Sequence, residues 1–158
     1  MREKILVPLD GSQVGEAALP FLEELLSKMS PEVAKEVTLF QAVSPVVYPI
    51  VGEGEYVDVA YTEKEIAQLR KQAANYLERT GEGLRSQGVV VETRVGVGSA
   101  ADEIIRAANE IGADLIAMST HGRSGLSRWA FGSVTDRVLR AGSVPILVVK
   151  STGQPEKA

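Results

Sequence analysis

The sequence predicts a doubly wound α/β domain, a five-stranded parallel sheet with helices on both faces. Short apolar, β-branched runs alternate along the chain with longer segments whose apolar residues recur every three or four positions. Turn residues close the runs, at Asp10-Gly11-Ser12, Ser44-Pro45 and Gly96-Val97-Gly98. With 158 residues, 44% of them hydrophobic, the chain can bury one core but not two. We read residues 1–150 as one domain and 151–158 as a flexible tail with nothing to bury.

The elements follow in order. Lys4–Leu9 reads as a buried strand ending near Asp10. From Val14 to Leu26, Ala17, Ala18, Phe21, Leu22, Leu25 and Leu26 mark one helix face, which Pro20 is expected to interrupt and bend. Val37–Val43 is the second strand. Residues 44–61, with Pro45, Pro49, Gly52 and Gly54, read as an insertion loop. Thr62 and Glu65 have capping-box spacing and open a long helix toward Gln87, with Ile66, Leu69, Ala73, Tyr76 and Leu77 inward and a break expected near Gly81 and Gly83. Val89–Val95 is a third strand, its partial alternation that of an edge or near-edge position. Ser99 and Asp102 are candidate caps of a helix carrying Ile104, Ile105, Ala108 and Ile111 and ending at Gly112. Asp114–Met118 is strand four, Ser133 a candidate cap for the last helix, and Pro145–Val149 strand five.

Composition excludes several functions. A net charge of -4 disfavours a nucleic-acid surface. It does not disfavour a single nucleotide, whose phosphates backbone N–H groups can hold. With no cysteine there is no disulfide, thiolate nucleophile or cysteine metal site. No apolar run has membrane-spanning length, and Met1-Arg2-Glu3-Lys4 leads straight into a strand, so a cytoplasmic protein is expected.

In doubly wound sheets the ligand sits beyond the carboxyl ends of the strands, where the winding reverses. The ends to inspect are Asp10, Val43, Gly96 and Ser119. After strand four comes a glycine-rich loop, Ser119 to Ser133, whose Gly132-Ser133 leads into a helix. Glycines allow close backbone approach, and a helix N-terminus offers free N–H groups and a positive dipole end to an anion. The pattern is neither a P-loop nor G-x-G-x-x-G, so spacing alone defines a generic anion site or a long permissive turn.

The segment MSTHGRSGLSRWAFGSVTDRVLR from Met118 to Arg140, VPILVV from Val144 and ILVPLDGS from Ile5 resemble the universal stress protein family, and the likeness runs in order over residues 3–150. Nucleotide-binding members carry Gly-x-x-Gly, nine residues, then Gly-Ser or Gly-Thr. Here Gly122, the nine residues Arg123 to Phe131 and Gly132-Ser133 match, with Ser119 in the first glycine position. The resemblance implies ATP as ligand, with Mg2+. Pro8, Leu9 and Asp10 would meet adenine and ribose, and Ala42 and Val43 the adenine edge. Met118 and Ser119 would lie against base and ribose; Gly122, Arg123, Gly125, Gly132, Ser133, Val134 and Thr135 would surround the phosphates. His121 is counted among the nucleotide-contacting positions without a catalytic role, and Arg128, Trp129 and Phe131 are read as a counter-charge and loop anchors.

With no P-loop lysine or Walker acid evident, the leading expectation is a nucleotide-dependent regulatory or signalling protein acting on a protein partner not named by the sequence. The alternatives are a slow ATP hydrolase or phosphotransferase using Asp10 or His121, and a dimeric interaction protein that binds no nucleotide. The resemblance further implies a homodimer through strand 145–149. Tyr48, Ile50, Val51 and Tyr56 of the insertion are candidates for a lid over the adenine, or for a surface or dimer-contact loop.

Overall fold

A computed structural model describes residues 2–47, 50–51, 55–56, 59–121 and 132–151. In chain order they form β1 (Arg2–Pro8), a 3-10 turn (Gly15–Ala17), α1 (Ala18–Lys28), β2 (Ala34–Val43) and four two-residue strands, β3 (Val46–Val47), β4 (Ile50–Val51), β5 (Glu55–Tyr56) and β6 (Val59–Ala60). Then follow α2 (Glu63–Ser86), β7 (Val90–Val97), α3 (Ala100–Ile111), β8 (Leu115–His121), α4 (Ser133–Ala141) and β9 (Ile146–Ser151). The main sheet has the order β7-β2-β1-β8-β9, and every pairing in it is parallel. This is the doubly wound architecture expected from the alternating pattern.

Period-two alternation in β1 divides the interior. Ile5 and Val7 join Leu22 and Leu26 of α1 and Leu77 and Leu84 of α2 in one core. Leu6 faces the other way, onto Ile104 and Ala108 of α3, Val138 of α4 and Ile116 of β8. Each leucine so buried contributes about 1.5–3 kcal/mol, which is why the helices clamp both faces.

Several elements differ from the expectation for physical reasons. Pro20 neither interrupts nor bends a helix, because α1 starts at Ala18 and places the proline in its first turn, where an N–H has no intrahelical acceptor. The buried stripe of α1 narrows to Ala18, Leu22 and Leu26, leaving Phe21 57% and Leu25 39% exposed. Gly81 and Gly83 do not break α2, which runs unbroken from Glu63 to Ser86. Gly81 is buried, and a Cβ there would stand 3.0 Å from Val91 Cγ1, so the glycine lets the helix close on β7. Within the insertion two antiparallel ladders form, Val46–Val47 with Val59–Ala60 and Ile50–Val51 with Glu55–Tyr56. Strand four extends beyond Met118 to His121, so Ser119 is strand, not loop.

Candidate functional site

The chain winds from β1 through β2 to β7, then crosses to β8 on the far side of β1. The winding direction therefore reverses between β1 and β8, and there the carboxyl ends of the strands splay apart. A cleft of about 280 Å3 opens at this point. Pro8, Leu9 and Asp10 line it from the end of β1, Phe40 and Ala42 from β2, Met118, Ser119 and Thr120 from β8, and Gly132, Ser133, Val134 and Thr135 from the start of α4.

Each wall has a structural cause. The Leu9 N–H donates to the Phe40 carbonyl at 2.8 Å, carrying the β1–β2 ladder one residue past the strand. The chain then turns, and Asp10 Oδ1 accepts the Ser12 N–H at 2.9 Å and the Ser12 hydroxyl. Asp10 is exposed and lines the edge of the cleft. Gly15 sits against this turn, where a Cβ would fall 2.5 Å from Asp10 Oδ1. Across the cleft the Ser119 hydroxyl donates to the Gly15 carbonyl at 3.0 Å and fixes the turn to β8.

The far rim is the N-terminus of α4. Gly132 is its cap residue and Ser133 its first helical residue, and no side chain among the described residues caps it, so the capping role expected of Ser133 is not filled. The helical hydrogen bond of Asp136 N–H to the Gly132 carbonyl spans 2.9 Å. The N–H groups of Ser133, Val134 and Thr135 precede it and have no intrahelical acceptor. The Gly132 N–H reaches Thr120 Oγ1 at 3.4 Å, which holds the helix start beside β8. An apolar wall thus stands opposite N–H groups that have no acceptor within the helix, at the positive end of its dipole.

Ten of the expected site residues lie on this cleft: Pro8, Leu9, Asp10, Ala42, Met118, Ser119, Gly132, Ser133, Val134 and Thr135. Val43 does not. Strand alternation turns its side chain to the opposite face of the sheet, and its carbonyl accepts the Gly98 N–H at 3.0 Å. His121 ends β8, and its side chain lies outside the described residues, as do Gly122, Arg123, Gly125, Arg128, Trp129 and Phe131. Tyr48, the side chains of Ile50, Val51 and Tyr56, and residues 152–158 also lie outside them. Phe40, Thr120, Gly15 and Ile104 line the cleft without having been expected there. Phe40 and Thr120 stand two residues from Ala42 and Met118, on the same strand faces, so the period-two rule was the available signal.

These features define the class: a doubly wound α/β domain with a ligand-sized cleft at its topological reversal. The sequence profile of the universal stress protein family matches residues 1–150, and the chain belongs to that family. A universal stress protein of Methanocaldococcus jannaschii is 30% identical over 161 residues, spanning 95% of this chain and 96% of its own. Its solved structure superposes with a TM-score of 0.71 at 28% identity, covering 96% of this chain and 98% of that one. The fold is shared by a family member from Arabidopsis thaliana solved with AMP bound, at TM-score 0.63 and 14% identity, covering 98% and 97% of the two chains. It is shared too by a universal stress protein solved in complex with cAMP, at TM-score 0.55 and 20% identity, covering 95% and 98%.

Proposed function

We propose that this chain binds ATP, accompanied by Mg2+, in the cleft between β1 and β8 and serves as a nucleotide-dependent regulatory or signalling protein of the stress response in the cytoplasm. The observation that carries the proposal is the N-terminus of α4, without a side-chain cap among the described residues, facing an apolar wall across a cleft at the winding reversal. Pro8, Leu9, Phe40, Ala42 and Met118 offer the surface a purine needs. The N–H groups of Ser133, Val134 and Thr135 suit phosphate oxygens. Asp10 keeps one carboxylate oxygen free of the turn, for a ribose hydroxyl or as the single protein ligand to a Mg2+ carried by the phosphates. Adenine is common to the ligands of the two neighbours that were solved with nucleotides, so an adenine nucleotide is the ligand to test first.

Ser133→Pro provides the test. Ser133 is the first residue of α4, a position that accepts proline, and Gly132 before it is already extended at ψ 155. The substitution removes one donor without breaking the helix. By calorimetry ATP should bind the native protein and bind the variant about tenfold more weakly, the worth of one hydrogen bond to a charged group, while adenosine binding stays unchanged. ATP that binds both proteins equally, or neither, overturns the assignment.

The resemblance further supports a homodimer through β9, whose outer edge has no partner strand among the described residues.

A further inference from the structure

A second cleft, of about 810 Å3, lies on the opposite face of the sheet from the first. The end of β2 is the wall between them: Phe40 and Ala42 turn their side chains toward α3, Gln41 and Val43 toward α2. The space has a simple origin. α2 packs tightly through Leu77, Gly81 and Leu84, but nearer its start the small Ala73 and the half-buried Leu69 do not fill the gap above β2. Tyr61, half-buried and held by its N–H on the Pro45 carbonyl at 3.0 Å, closes one end.

Within this cleft Gln41 Oε1 is buried and has no hydrogen-bond partner among the described residues. An amide carbonyl left so is destabilising, and a ligand donor would remove that cost. No charged side chain is among the described residues lining the space. The Tyr76 hydroxyl is already committed, donating to Glu16 Oε1 at 2.7 Å. Burial, then that carboxylate, raise the phenol well above its ordinary range, so the ring presents a neutral surface. The N-terminus of α2 is closed by its own capping box and carries Glu63 and Glu65, which repel an anion.

We propose that this cleft is a second ligand site, taking a neutral, mainly apolar, flat small molecule that donates one N–H or O–H to Gln41 Oε1. Tyr61 and Tyr76 supply the stacking surface and Leu69, Val43 and Ala73 the apolar floor. The site does not depend on the nucleotide reading, because the two clefts share only Ala42 among their described lining residues.

Indole is a suitable probe, with a flat apolar body and a single donor, and 1-methylindole is its donor-less counterpart. Titration of the full chain, followed by NMR, should give saturable shifts at Tyr61, Tyr76 and the Ala73 methyl with indole. Binding of 1-methylindole should be about tenfold weaker, one hydrogen bond's worth. Gln41→Leu should abolish that preference. Gln72→Trp, at an exposed position on the rim, should block both probes without touching the core. Saturating ATP should leave the indole titration in place. No saturable binding, equal binding of the two probes, retention of binding in Gln72→Trp, or displacement by ATP would each overturn the proposal.

Discussion

Ser119 occupies the first glycine position of the pattern that the resemblance implies, and its hydroxyl bridges β8 to the Gly15 carbonyl at 3.0 Å. The serine letter is visible in the sequence; its use is not, because the partner lies 104 residues away and becomes a neighbour only through the sheet order. The resemblance sets Ser119 against the base and ribose, and in the fold its hydroxyl proton is committed to a main-chain oxygen. Ser119→Ala should therefore lower stability by about 1 kcal/mol, the net worth of one such bond, in urea unfolding. Ser119→Gly should cost about 0.5–1 kcal/mol more through the added freedom of the unfolded chain. If the alanine variant unfolds at the native midpoint, the bond contributes nothing. Asp10 is the contrasting case. Asp-Gly-Ser announced the turn chemistry and the resemblance a ligand role, and in the fold one carboxylate oxygen accepts both turn hydrogen bonds at the cleft edge.

Among the elements, α2 was the most legible at its start. Thr62 and Glu65 form the reciprocal cap that their spacing predicts, with the Glu65 N–H on Thr62 Oγ1 and the Thr62 N–H on Glu65 Oε2 at 2.7 Å. Thr62→Ala should cost about 1 kcal/mol at neutral pH. The Thr62 N–H, and then its hydroxyl, hold the Glu65 carboxyl below its ordinary 4.5. A lowered folded value means that this contribution is present above 4.5 and lost as pH falls through it, so the gap between Thr62→Ala and the native chain should shrink in acid. The middle of α2 was less legible, since glycine propensity argues for a break and only the proximity of Val91 explains Gly81. Earlier in the same helix, Tyr76 ties α2 to the 3-10 turn through Glu16. Burial and the neighbouring carboxylate raise its phenol above the ordinary 10.0. The stability this confers is full below pH 10 and is lost as the unfolded chain ionises above it. Alkaline unfolding should accordingly be steeper in the native protein than in Tyr76→Phe. Identical alkaline limbs would show that the phenol does not titrate with folding.

At the scale of the molecule, the alternation of strand and helix sufficed for the fold class, but neither cleft could be outlined before the sheet order was known. The first needs β8 beside β1; the second depends on α2 standing off β2 above an ordinary-looking Gln41. The sheet's two edges differ in a way that bears on assembly. β7 exposes Glu92 and Arg94 along its length, charges that discourage pairing with another sheet. β9 begins Ile146-Leu147-Val148-Val149 and reaches its first charge only at Lys150. Beside it α1 leaves Phe21 57% and Leu25 39% exposed, the residues whose burial the helical pattern had led one to expect, and α4 exposes Leu139 at 39%. An uncharged edge strand with apolar side chains near it suits a second copy of the chain, and burying that surface would account for the exposed half of the α1 stripe. Light scattering should then give a dimer, and Val148→Lys, which puts a charge at a half-buried edge position, should give a monomer with unchanged circular dichroism. A native chain that stays monomeric across the accessible concentration range rules this interface out. A Val148→Lys variant that still dimerises shifts the contact to another surface, with the bare face of α1 the next to substitute.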